Sequence, residues 1–102
     1  MFVFCFLEII FQLIVHYFSA IITEDVVNRT KPDPEMFLLA AKQIGVSPKN
    51  CLVFEDGIHG MQAAQRAKMK CVGLVEDKTK NYPTKNLISS FAEINLDYIK
   101  GL

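Results

Sequence analysis

Apolar and polar positions along this chain change period several times, and each change marks an element. Leu52, Val53 and Phe54 form an uninterrupted apolar run that reads as a buried strand over residues 51–54, and it leads straight into two adjacent carboxylates, Glu55 and Asp56. Gly57 then opens a helical segment predicted over residues 58–67, and residues 71–75 return to the pattern of a buried strand. Gly60 falls in the first turn of that helix. Glycine there costs helix propensity, so a close approach of another group to the backbone is expected at this position. A polar loop over residues 76–84 contains Pro83, and a weak strand over 87–89 and a terminal helix over 93–100 complete this half.

Upstream, residues 19–23 read as a short buried strand and residues 24–30 as a polar loop that delivers Lys31. Pro32 crowds the residue before it and keeps Lys31 out of helical geometry. Asp33 is placed to cap a helix whose first position is Pro34, where a missing N–H costs nothing. Phe37, Leu38, Ala41 and Ile44 share one face of that helix, and Gly45 is placed to end it in the left-handed conformation. Strand, helix, strand, helix, strand is the alternation of an α/β fold with a parallel sheet and right-handed crossovers.

The first 22 residues differ from the rest, with no Lys or Arg and a single acid, Glu8. A secretory signal would carry positive charge ahead of its apolar core. A membrane helix would have to take Glu8, Gln12 and His16 through hydrocarbon. These three recur every fourth residue along one stripe, which favours an amphipathic helix packed on protein over a span, with residues 1–18 as an atypical hydrophobic segment. The alternative for residues 1–7, rich in Phe and Val, is a strand.

Composition narrows the classes. A chain of 102 residues has room for one domain, and eleven basic residues balance eleven acidic ones, so nothing points to nucleic acid or an anionic membrane as partner. A hydrophobic fraction of 51% excludes disorder. Cys5, Cys51 and Cys71 make no CxxC pair and read as reduced core residues of a cytoplasmic protein.

Candidate chemistry centres on the end of the 51–54 strand. Ligand crevices of open parallel sheets lie beyond the carboxyl ends of the strands, so Glu55 and Asp56 stand where a site belongs, and paired carboxylates suit a hard cation such as Mg2+. Seen alone, such acids are often solvated strand-end residues, and Lys31 alone is often a solvated surface lysine. His16 and His59 read as structural before catalytic, although His59 follows Asp56 closely enough to line the crevice.

Tyr17 to Thr23, then Lys31-Pro-Asp-Pro34, then Cys51 to Asp56, and Gly60-Met-Gln-Ala-Ala64 resemble the carboxy-terminal half of haloacid dehalogenase-like phosphatases, in the subgroup containing beta-phosphoglucomutase and small sugar-phosphate phosphatases. The resemblance implies the carboxy-terminal portion of a Rossmann-like three-layer core, spread over residues 1–102 without a cap domain. It implies that Lys31 neutralises the phosphoryl group, that Asp56 coordinates Mg2+, and that Glu55 assists directly or through water. The substrate implied is a small phosphorylated metabolite.

Three family parts have no counterpart. Asp25, Asp33, Asp56, Asp77 and Asp97 are the aspartates of this sequence, and no two of them form the DxD motif that supplies the family's nucleophile and its general acid and base. The phosphate-binding Ser or Thr after the family's second strand is also unmatched. Gly57 stands where a small hydroxyl residue is common, and Lys68 where glycine is usual. The family's first two strands would lie between the strands at 20–23 and 51–54, so the expectation is a truncated chain with open sheet edges that pairs with a complementary amino-terminal half or with itself, or fills the gap with residues 2–7. The rival expectation is a non-catalytic remnant or interaction module with an exposed sheet edge, and a membrane-attached fragment is a third and weaker one.

Overall fold

A computed structural model describes residues 27–102 in full and, before them, the backbone of two strands, β1 (Phe2–Cys5) and β2 (Phe18–Ser19). The following elements are α1 (Glu35–Ile44), β3 (Cys51–Glu55), α2 (Ile58–Arg66), β4 (Lys70–Leu74), β5 (Leu87–Ile88) and α3 (Leu96–Lys100). They form a five-stranded sheet in the order β2-β1-β3-β4-β5. β3, β4 and β5 run parallel, as the α/β alternation requires. β1 is antiparallel to both of its neighbours, which makes β2 codirectional with β3 and leaves β1 as the reversed strand.

β1 pairs along β3 from Phe2 opposite Phe54 to Cys5 opposite Cys51. The edge of β3 expected to stay open is therefore covered, and the strand alternative for residues 1–7 holds over Phe2–Cys5. The amphipathic helix expected through Glu8, Gln12 and His16 lies outside the described residues, as do Asp25 and most of the 19–23 strand.

β3 is buried along its whole length, because both faces of the sheet are covered. Cys51 and Val53 point to one side, where Phe37 and Ala41 of α1 and Met61, Ala63 and Ala64 of α2 complete the larger core cluster. Leu52 and Phe54 point to the other, against Val72, Ile88 and the partly buried Tyr98 and Ile99 near the carboxyl end. The two-residue strand period sorts the side chains between these layers.

Helix ends follow local chemistry with small departures. Gly45 closes α1 at φ 76°, as its position predicts. Pro34 is the capping residue itself, and Asp33 acts one residue earlier than expected by accepting the N–H of Glu35 at 2.9 Å. Leu38 is 41% exposed rather than part of the buried face, which is formed by Met36, Phe37, Ala40 and Ala41. Lys68 takes a left-handed φ of 63°, a conformation that costs a side-chain-bearing residue on the order of 1 kcal/mol. The terminal helix begins at Leu96 instead of 93, because Asn95 caps it by accepting the N–H of Tyr98, while Ser90 and Glu93 close a separate 3-10 turn over Phe91–Glu93. Among the described residues no helix is long and apolar enough to cross a membrane.

Candidate active site

Strand parity decides where the two acids go. Glu55 shares the face of Cys51 and Val53, so its side chain turns toward α1 and α2 and is 4% exposed. Lys31 precedes α1 on that same side. Its Nζ lies 3.4 Å from Glu55 Oε2, and the lysine side chain keeps 23% of its surface open. A buried carboxylate requires such a partner, since an isolated charge out of water is expensive. The second oxygen, Oε1, accepts the N–H of Asp56 at 3.3 Å.

Space for this arrangement comes from Gly60. A Cβ built there would overlap Glu55 Cδ, Cγ and Oε2, so the bare backbone at the start of α2 is the surface on which the Glu55 carboxylate rests. The close approach expected from the sequence is thus an approach by Glu55.

The segment carrying Lys31 is pinned from several directions. Glu35 accepts the backbone N–H groups of Asn28 and Arg29, both at 2.9 Å, and Asp33 N–H donates to the Thr30 carbonyl at 3.0 Å. Arg66 of α2 donates to the Pro32 carbonyl at 3.1 Å, and the Lys31–Pro32 peptide bond is cis. The hydrogen bonds of Glu35 and Arg66 tie the segment carrying Lys31 to both α1 and α2.

Asp56 follows β3 and is exposed, with its side chain lining an open cavity of about 370 Å³ together with Leu74, Val75, Glu76, Asp77, Lys80 and Tyr82. Lys31 and Glu55 do not line this cavity, so the candidate residues fall in two parts: the buried Lys31–Glu55 pair and the exposed Asp56. Among the described residues no three acidic, histidine or cysteine side chains gather closely enough to cage a metal ion. Both Glu55 oxygens are engaged, and the exposed Asp56 carboxylate shares its cavity with Glu76 and Asp77. That set fits Mg2+, which keeps several waters and takes one or two protein carboxylates plus phosphate oxygens. It does not suit a metal that demands a closed protein cage.

His59 is exposed on the first turn of α2. Cys51 and Cys71 are buried and not disulfide-linked. Burial, with the nearby Glu55 charge adding to it, pushes the Cys71 thiol up to about 12, so it is a core group and no nucleophile at neutral pH. Glu76, Lys80 and Tyr82 beside Asp56 are neighbours that sequence reasoning missed. A polar loop containing one tyrosine directly after a buried strand was the signal available.

Residues 5–68 match the family of haloacid dehalogenase-like hydrolases. The Bacillus subtilis protein YhcW is 58% identical over 55 residues, covering 54% of this chain and 25% of that protein. The fructose-1-phosphate phosphatase YqaB of Escherichia coli is 49% identical over 57 residues, covering 56% of this chain and 30% of that protein. The crystal structure of beta-phosphoglucomutase from Clostridium difficile superposes with a TM-score of 0.66 at 32% identity, over 74% of this chain and 33% of the other. The chain thus spans roughly a quarter to a third of the length of these relatives.

Proposed function

From the premise that this chain belongs to the haloacid dehalogenase-like hydrolase family, we propose that it carries the cationic and metal-binding half of a Mg2+-dependent phosphoryl-transfer site acting on small phosphorylated metabolites. The observation that carries the reading is the Lys31 Nζ held 3.4 Å from Glu55 Oε2 at the carboxyl end of β3, with the exposed Asp56 next in the chain.

Phosphoryl transfer is mostly positioning and charge neutralisation. In this reading Lys31 meets the phosphate oxygens with its ammonium group, which Glu55 aims from behind. Asp56 would hold Mg2+, with Glu55 assisting directly or through water. The bound cation supplies charge neutralisation at the phosphate. Fixed backbone around Lys31 lowers the cost of ordering the ammonium when substrate arrives. The chain's aspartates include no DxD pair, so the attacking carboxylate is contributed by a complementary amino-terminal segment.

The rival reading, a non-catalytic binding module, draws on that same lack of a DxD pair. Hydrolysis of an aryl phosphate separates the two. The 102-residue chain alone is expected to be inactive. Mixed with the amino-terminal half of a relative, it is expected to gain Mg2+-dependent hydrolysis that Asp56→Asn and Lys31→Met each lower by at least about a hundredfold, the scale lost with one oriented charge at a reacting group. A mixture that stays inactive, or an Asp56→Asn chain that supports full activity, would overturn the proposal.

A further inference from the structure

We infer that Cys5 and Cys51 form a disulfide under oxidising conditions, and that this bond fastens β1 in its place beside β3. The site is independent of the phosphoryl-transfer reading, because it lies at the amino end of β3, away from Glu55 and Asp56.

Strand register brings the two cysteines together. β1 and β3 are antiparallel, and Cys5 stands directly opposite Cys51 at the end of their ladder. Directly opposed residues of an antiparallel pair have Cα atoms about 4.5 or 5.5 Å apart, according to the hydrogen-bonding pattern. Either separation falls inside the range of roughly 4.4 to 6.8 Å that disulfides span. The bond therefore needs no rearrangement of the backbone.

The third cysteine is set apart by the same geometry. Cys71 of β4 is in register with Val53, two residues along β3 from Cys51. Two residues of rise combined with one strand spacing separate the Cα atoms of Cys51 and Cys71 by about 8 Å, too far for a disulfide. Cys5 is further still from Cys71, because β3 lies between β1 and β4. Burial also keeps the Cys71 thiol protonated near neutrality, and a thiol in that state does not enter exchange. One pairing of the three is left.

The oxidant required is a small dissolved disulfide such as oxidised glutathione. Cys51 is 1% exposed, with its Sγ donating to the Ser47 carbonyl at 3.5 Å, so it is shielded from a dissolved reagent. Exchange begins instead at Cys5, the last residue of β1, since strand ends open first. The Cys5 thiolate attacks oxidised glutathione, which forms a mixed disulfide and releases one glutathione thiolate. Cys51 then attacks the Cys5 sulfur and expels the second glutathione thiolate. Two protein thiols become one disulfide, one glutathione disulfide becomes two thiols, and each protein proton ends on a released glutathione. Reduced glutathione reverses both steps, so the bond follows the thiol–disulfide balance of its surroundings. The ladder it secures is only four residues long, and the chain between the cysteines is a long loop whose closure the bond maintains.

The test equilibrates the 102-residue chain with oxidised and reduced glutathione, folded and in urea, blocks the remaining thiols, and maps tryptic peptides by mass spectrometry without reduction. Cleavage leaves the three cysteines on separate peptides, 1–29, 50–66 and 71–78. In the folded chain the link between 1–29 and 50–66 is expected to exceed every other pairing by at least about tenfold, a preference that urea removes, because only the folded register holds the two thiols together. Cys71→Ser is expected to keep this link, and Cys51→Ser to lose it without a Cys5–Cys71 link in its place. Amides of Phe2–Cys5 are expected to exchange at least about tenfold more slowly in the oxidised chain than in the reduced chain. The same mixture of pairings with and without urea, or a folded chain linked through Cys71 or between two copies, would overturn the site. A Cys5–Cys51 link that leaves exchange of those amides unchanged would overturn its role in holding β1.

Discussion

Gly60 is bare because Glu55 occupies the volume its side chain would need, and this one contact links helix, strand and lysine. An alanine there would drive the Glu55 carboxylate off the α2 backbone and away from Lys31, in a part of the core with no slack. Overpacking of this kind costs about 1–3 kcal/mol, with loss of the buried pair included in the effect. Gly101 is the control, because a Cβ there meets its nearest atoms at an ordinary 3.6 Å. Urea unfolding is expected to show a clear drop in midpoint for Gly60→Ala and almost none for Gly101→Ala. Equal midpoints would mean that Glu55 does not lie against α2. The sequence marked Gly60 as a close approach and Glu55 as a site residue, yet it could not join them. That link depends on the parity of β3 and on the position of α2 above it, both of which are tertiary facts.

Elements show the same division between local signals and packing. β3, α2 and β4 sit within a residue of their expected bounds, because their apolar periods are strong and bordered by glycine or by polar residues. Leu38 failed as a core residue because the apolar stripe of α1 is wider than the surface it packs against. The final helix was misplaced because Ser90 and Glu93 close their own 3-10 turn first. Glu93 is the pivot of this region: it accepts Lys78 Nζ and the Ser89 N–H, each at 2.6 Å, and the Ser90 N–H at 3.1 Å. Lys78 and these backbone donors hold the Glu93 carboxyl below its usual range, and Thr79 does the same for Asp77. A carboxyl whose pKa is lowered by folding adds stability that is complete above its unfolded pKa and is lost as pH falls from about 5 through the lowered value. Thermal melts across that window are expected to show a shallower acid decline for Glu93→Gln than for the parent. Identical declines would show that Glu93 titrates alike folded and unfolded.

At the scale of the molecule, the reversed strand β1 is the feature that sequence reasoning could pose but not decide. A Phe- and Val-rich segment fits an apolar slot in either direction, and pattern alone carries no sense of which neighbour it pairs with. In the structure β1 fills the place beside β3 with β2 beyond it, so a sheet whose other four strands run one way is closed by one that runs against them. Reversal has a functional consequence. The carboxyl end of β1, Cys5, lies opposite Cys51, at the amino end of β3 and far along the strand from Glu55. A strand running parallel to β3 in that place would instead bring its carboxyl end beside Glu55 and Asp56, which is the placement a nucleophilic aspartate needs. A complementary segment that restores turnover must therefore displace β1. Amide exchange follows this directly. In the chain alone, amides of Phe2–Cys5 that bond to β3 are expected to exchange at least about tenfold more slowly than unstructured chain, a modest protection typical of an outer part of a sheet. When a complementary amino-terminal half is added, that protection is expected to vanish while protection of β3 persists. Free exchange of these amides in the chain alone would remove β1 from the sheet, and protection that survives complementation would mean that the added half binds elsewhere.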